Sequence, residues 1–87
     1  MANHKSALKR IRQNKKRNIR NKSVRSALRT RVNQFEAAVE AGDLAQAEAA
    51  FRVAEGALDG AASKGIIPRA RASRKAGRLA VRLNALR

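Results

Sequence analysis

The sequence predicts an all-α fold, an antiparallel up-down-up three-helix bundle with a long basic N-terminal extension of its first helix. Apolar residues recur with a helical period in three segments, and two short Gly-containing breaks separate these segments. Alanine is the commonest residue, and the chain has two Phe but no Trp, Tyr or Cys. This composition is typical of helices that pack closely on small side chains. The 87 residues are enough for one small domain, residues 1–87.

The first predicted helix runs from about Ser6 to Glu40, a span without Pro or Gly. Its second half carries one apolar face, formed by Val24, Leu28, Val32, Phe35 and Val39. Before Ser23 the large apolar side chains are too sparse to pack on a neighbour. We therefore expect residues 1–22 to project from the bundle as a basic extension and to become ordered when an anion neutralises their charge.

Two breaks end the first and second helices. Gly42 suits the left-handed position after a helix, and Asp43 with Gln46 suits the capping box of the next helix. The second helix is predicted from Leu44 to Ser63, with an ion pair between Glu48 and Arg52 and with two glycines, Gly56 and Gly60, that would permit close approach of a neighbour. Its apolar seam consists of Leu44, Ala47, Phe51, Ala54, Leu58 and Ala61.

The third helix follows the break at residues 64–68 and extends to about Leu86. Gly65 and Ile66 fit a Schellman motif, and Pro68 fits the first helical position. The predicted core face consists of Ala72, Ala76, Leu79, Leu83 and Leu86. A neighbouring stripe is basic and consists of Arg71, Arg74, Lys75, Arg78 and Arg82.

The charge is sorted along the chain. Residues 1–35 contain twelve Lys or Arg and no acid, residues 36–59 contain all six acids, and residues 60–87 contain eight more Lys or Arg and no acid. The net formal charge is +15 at pH 7. Such blocks indicate a polyanionic partner, most often a nucleic acid. With Phe35 and Phe51 both at seam positions, we predict recognition of the backbone and shape of folded or duplex nucleic acid.

Charge and polarity alone indicate part of the candidate nucleic-acid-binding set, with RNA and DNA both open at this point. His4 is expected to be solvated or to contact phosphate, and the Asn side chains to be polar spacers or hydrogen-bond donors. These candidates are His4, Arg12, Asn14, Lys15, Lys16, Arg17, Arg20, Asn21, Lys22, Arg69, Arg71 and Arg82.

Other classes of function fit less well. A histone-like DNA-compacting protein shares every charge argument and remains the alternative. A membrane-surface helix needs a broad apolar face, which residues 9–22 lack. No catalytic constellation or metal site can be assembled, so we expect no enzyme, no cofactor and no small-molecule substrate. We also expect no secretory signal, no membrane span and no homo-oligomer.

Several short motifs, in order along the whole chain, resemble the bacterial small-subunit ribosomal protein S-twenty family. They are the opening residues 2–10, Arg25-Ser26, Arg29-Thr30, Ala41-Gly42-Asp43, Lys64-Gly65-Ile66-Ile67, Ala72, Arg74-Lys75 and Arg78-Leu79. The chain departs from the family pattern at Pro68, Ala70, Ala76 and Gly77, where polar or charged groups are expected.

The resemblance implies a three-helix protein of the cytoplasmic ribosome that binds 16S ribosomal RNA directly during assembly of the small subunit. The expected contacts lie in the 5′ domain and near the 3′ minor domain. Carried over residue by residue, the resemblance supports RNA contacts by Asn3, Lys5, Ser6, Lys9, Arg10, Arg25, Arg29, Lys64, Arg74, Lys75 and Arg78.

Overall fold

The structure is a computed structural model that describes residues 2–87, with side chains from residue 6 onward. These residues form three helices, α1 (Ala2–Glu40), α2 (Leu44–Ser63) and α3 (Arg69–Leu86). Helix α2 lies against both other helices, whereas α1 and α3 touch each other at few points. The predicted all-α up-down-up bundle is confirmed.

Helix α1 begins earlier than predicted. It starts at Ala2 rather than near Ser6, because no Pro or Gly interrupts the segment and nothing else ends the helix there. With 39 residues it is about twice as long as α2 or α3, and the molecule measures 64 × 21 × 13 Å. All residues from 6 to 20 are exposed, so the predicted projection of the extension beyond the bundle is confirmed for this segment.

The turn between α1 and α2 is a Schellman motif followed directly by an N-cap. Gly42 has φ +72°, its N–H donates to Val39 O (3.0 Å), and the N–H of Asp43 donates to Ala38 O (3.2 Å). The Asp43 carboxylate then accepts from the backbone N–H of Gln46 (3.1 Å). Only this half of the predicted capping box forms, because the backbone N–H of Asp43 already serves the end of α1.

The turn between α2 and α3 repeats the Schellman geometry. The N–H groups of Gly65 and Ile66 donate to Ala62 O and Ala61 O, each at 3.0 Å, and Gly65 has φ +74°. The placement of Pro68 at the first helical position was wrong. Its ψ of 143° is extended, which makes it the N-cap of α3.

The core is thin and rich in alanine. Phe35 and Leu79 are its largest fully buried side chains, and Phe35 meets half-buried Phe51 with ring centroids 6.0 Å apart. Both Phe side chains therefore belong to the core, as predicted. The predicted seam residue Leu44 is an exception, since it is 37% exposed at the first position of α2.

Two predictions for α2 were wrong. A Cβ added at Gly56 or Gly60 would meet no atom within 4 Å, so neither glycine serves a close helix approach. The Glu48 carboxylate pairs at 3.2 Å with Arg87, the C-cap of α3, rather than with Arg52. Arg87 reaches it with two guanidinium nitrogens, which favours the forked contact over the single helix-surface pair.

Candidate nucleic-acid interface

The described part of the basic extension of α1, residues 6–22, is a charged rod in which residues 6–20 are all exposed. It carries eight Lys or Arg and no acid, and all eight cations are exposed. The ion pairs found within residues 6–87 involve none of them. At about 1.5 Å of rise per residue, the cations from Lys9 to Lys22 are spread over about 20 Å. Such a row matches the close spacing of phosphates along a nucleic-acid strand.

Amide side chains occupy one face of this rod. Asn14, Asn18 and Asn21 follow one another at spacings of four and three, so they share one stripe of α1, and Arg25 continues it by four more residues. Asn14 is exposed. Asn21 is half-buried, and its shielded Oδ1 has no hydrogen-bond partner among the described residues. The amide stripe leads from the extension into the region where α1 faces α3.

An open groove of about 970 Å³ lies between α1 and α3. Its lining includes six cations and one acid, Glu36. The cations are Arg25 and Arg29 from α1, and Arg71, Arg74, Lys75 and Arg78 from α3. This excess of like charge favours a bound anion and opposes direct packing of α1 on α3.

An ion pair joins the two walls of the groove. Arg82 of α3 donates to Glu36 of α1 at 3.2 Å, and the two side chains are 44% and 38% exposed. Because α1 and α3 run in the same direction, this pair lies at the end of the groove nearer the C-terminal ends of both helices. The other end opens toward the basic extension, where Lys22 is followed by Arg25.

The structure thus brings the sequence candidates into two connected groups. Six candidates, the groove cations named above, line the groove. The candidates on the extension are Ser6, Lys9, Arg10, Arg12, Asn14, Lys15, Lys16, Arg17, Arg20, Asn21 and Lys22. Lys64 and Arg69 are exposed near the turn before α3, outside the groove lining. Arg82 forms the ion pair with Glu36 described above. Asn3, His4 and Lys5 lie outside the residues whose side chains are described.

Sequence reasoning missed part of the groove. Its floor includes Leu28, Ile66 and Ile67, all half-buried, and its α1 wall includes Asn33 and Glu36. A signal for the wall was present, because residues 25, 29, 33 and 36 recur at spacings of four, four and three beside the apolar face. The floor had no comparable signal, since it depends on how far apart α1 and α3 stand.

Two other kinds of site are absent from the part of the chain that the structure describes. No helix there is long and apolar enough to cross a membrane. No group of three or more His, Cys, Asp or Glu side chains there is placed to hold a metal ion.

A family model described as Ribosomal protein S20 matches residues 2–84. The chain belongs to this family. Three relatives carry the name small ribosomal subunit protein bS20. The protein from Halalkalibacterium halodurans is 55% identical over 85 residues, covering 98% of this chain and 93% of the relative. Those from Geobacter metallireducens and Clostridium acetobutylicum are 52% and 50% identical over 86 residues, covering 99% of this chain and 99% and 98% of the relatives.

Family membership confirms the resemblance drawn from the short motifs. The chain is a structural ribosomal protein of the small subunit and not an enzyme. Its place is on the cytoplasmic ribosome. The relatives match over nearly their whole lengths, and the groove and the described part of the extension both fall within the span of the family match.

Proposed function

We propose that this chain binds 16S ribosomal RNA directly, in the 5′ domain and near the 3′ minor domain, and stabilises the RNA fold during assembly of the small subunit. The observation that carries the proposal is the continuity of two cationic surfaces. Eight exposed cations of the extension run directly into the six cations of the groove. Together they form an extended surface suited to an RNA backbone.

The mechanism is charge neutralisation without chemistry on the RNA. Lys and Arg replace the counterions condensed on closely spaced phosphates, and release of these ions to solution favours binding. Phosphates that repel one another can then stay close, which lets RNA segments pack. Arg is present at twice the frequency of Lys, fourteen to seven, and its planar fork suits bidentate phosphate contacts.

Most of the acids lie away from the extension and the groove, and Glu36 is the one acid in the groove lining. Four of the six lie on α2 or at its cap. Glu36 is paired with Arg82 of α3, and Glu48 with Arg87, the C-cap of α3. The faces that carry the extension and groove cations therefore keep nearly all of their positive charge.

Hydroxyl-radical footprinting of 16S ribosomal RNA, with and without the chain, tests the site on the RNA. We expect protection confined to one compact region that includes 5′-domain segments. Competition against random duplex DNA at physiological salt separates this proposal from the histone-like alternative. Equal affinity for the two nucleic acids would favour the DNA compactor and contradict the proposal.

The salt dependence tests the charge mechanism. If about eight phosphates are neutralised, log K should fall with log[salt] with a slope of about −7 for duplex-like RNA. Replacing one groove cation, as in Arg74→Gln, should reduce that slope by about one unit. Arg52→Gln is the matched control, because Arg52 is exposed on α2 outside the groove and the extension. Equal effects of the two variants would count against the groove as part of the interface.

A further inference from the structure

The groove between α1 and α3 is more than a row of cations. Beneath them lie the aliphatic side chains of Leu28, Val32, Leu58, Ile66 and Ile67. Val32 and Leu58 belong to the core and are 8% and 3% exposed, while the other three are half-buried. A site for phosphates alone gains nothing from an apolar floor, because phosphate oxygens need polar partners.

The dimensions suit a ligand larger than a single phosphate. The groove volume of about 970 Å³ is at the upper end of the range of roughly 300–1,000 Å³ found for small-molecule sites. The charge is also unevenly placed. Glu36 and its partner Arg82 occupy one end, so a phosphate is favoured along the arginine-lined walls and disfavoured at that end.

We infer that the groove receives one unstacked nucleotide of an RNA strand, with its base on the aliphatic floor and its flanking phosphates on the arginine walls. The inference rests on the proposed RNA binding and specifies what this site takes. A base has apolar faces and polar edges, which matches a floor of Leu28 and Ile66 beside the polar groups of Asn33 and Glu36. Arg side chains of the walls add planar surfaces for stacking.

Other occupants match the groove less well. A duplex offers its phosphates but keeps its base faces stacked, so it leaves the floor uncovered. An amphipathic helix from a protein would place apolar side chains on the floor, but it would need acids along both edges to meet six cations. Each nucleotide of a single RNA strand carries both a base, which can cover the aliphatic floor, and a phosphate, which can bind the cationic walls.

The route of the strand follows from the open end of the groove. The Arg82–Glu36 pair joins the walls at one end, whereas the other end leads to the amide stripe at Asn21, Asn18 and Asn14. A strand that leaves the groove there passes amide donors and acceptors able to bind phosphate and 2′-hydroxyl groups.

Methyl NMR of the full chain tests the inference with short probes. The probes are RNA trinucleotides and a trinucleotide of the same phosphate charge whose central nucleotide is abasic. We expect the methyl signals of Leu28, Ile66 and Ile67 to shift on titration with the intact trinucleotides. The abasic probe should bind about tenfold more weakly, because it leaves the aliphatic floor uncovered and gives the Arg side chains no base to stack on.

Two variants separate the floor from the walls. Ile66 is half-buried in the groove and is not among the residues packed on the main core, so Ile66→Ser should leave the fold intact, which amide NMR spectra check. It should weaken binding of the intact trinucleotide and leave the abasic one unchanged. Arg74→Gln should weaken both probes alike. Val81→Ser, at a position that is 68% exposed outside the groove, is the matched control.

The outcomes distinguish this inference from the function on which it rests. Equal affinity for the intact and abasic probes, or equal effects of Ile66→Ser and Val81→Ser, would overturn the nucleotide site. If 16S ribosomal RNA still gave a compact footprint in that case, the proposed function would stand. Failure of the chain to bind 16S ribosomal RNA, with trinucleotide binding retained, would instead overturn the proposed function and leave the nucleotide site.

Discussion

At the scale of single residues, alanine determines how closely the helices approach. Ala47 and Ala54 of α2 are fully buried, and Ala72 of α3 is 4% exposed. Small side chains bring helix backbones together but bury little apolar area each. The few large core side chains, Phe35 and Leu79 above all, therefore supply a large share of the hydrophobic stabilisation.

Leu79→Ala tests this dependence. Leu79 is 1% exposed, and its truncation should lower the free energy of unfolding by about 2–5 kcal/mol through lost burial and the cavity left behind. A domain this small has little stability to lose, so urea unfolding should show a large shift or a partly unfolded chain. Val81→Ala on the exposed side of the same helix should change stability by about 0.5 kcal/mol or less. Similar effects of the two substitutions would contradict the assigned core.

At the scale of the helices, the turns show what sequence can specify. The Gly42 and Gly65 motifs were predicted because a left-handed residue at the end of a helix has a strong local signature. The groove was not predicted as a space, although the basic stripe of α3 was. The width of the groove depends on how α1 and α3 both pack on α2 while their like-charged faces stay apart. The apolar periodicity of each helix predicts which face packs, but it does not predict the distance between α1 and α3.

The same substitution at two glycines should have opposite effects. Gly42 has φ +72°, so Gly42→Ala forces a side chain into the left-handed region and should destabilise the protein by about 1–2 kcal/mol. Gly56 lies inside α2 with open space around it, so Gly56→Ala should stabilise it by about 0.5–1 kcal/mol through helix propensity. Thermal unfolding followed by circular dichroism measures both. A loss of stability from Gly56→Ala would show that α2 needs glycine for a reason that this structure does not contain.

At the scale of the whole molecule, the packed core and the basic extension occupy different parts of the chain. The core lies within residues 32–83, whereas residues 6–20 are all exposed. Eight cations crowded on the extension repel one another in the free protein. The extension therefore adds charge for a partner without adding to the packed core, which explains why composition indicated the class of partner more clearly than the site.

Deletion of residues 2–22 separates the two parts in one variant. Because residues 6–20 of the extension are all exposed, the free energy of unfolding in urea should stay the same or rise slightly as repulsion is removed. Affinity for 16S ribosomal RNA should fall, and the salt slope should drop to about half, since each lost phosphate contact removes about 0.9 from it. A second, full-length variant tests the groove by the same measurements of unfolding in urea, RNA affinity and salt slope. It carries Gln in place of Arg25, Arg29, Arg71 and Arg74. An unchanged salt slope after the deletion would mean that the extension does not bind phosphate, and a collapse of stability would mean that it is part of the folded core.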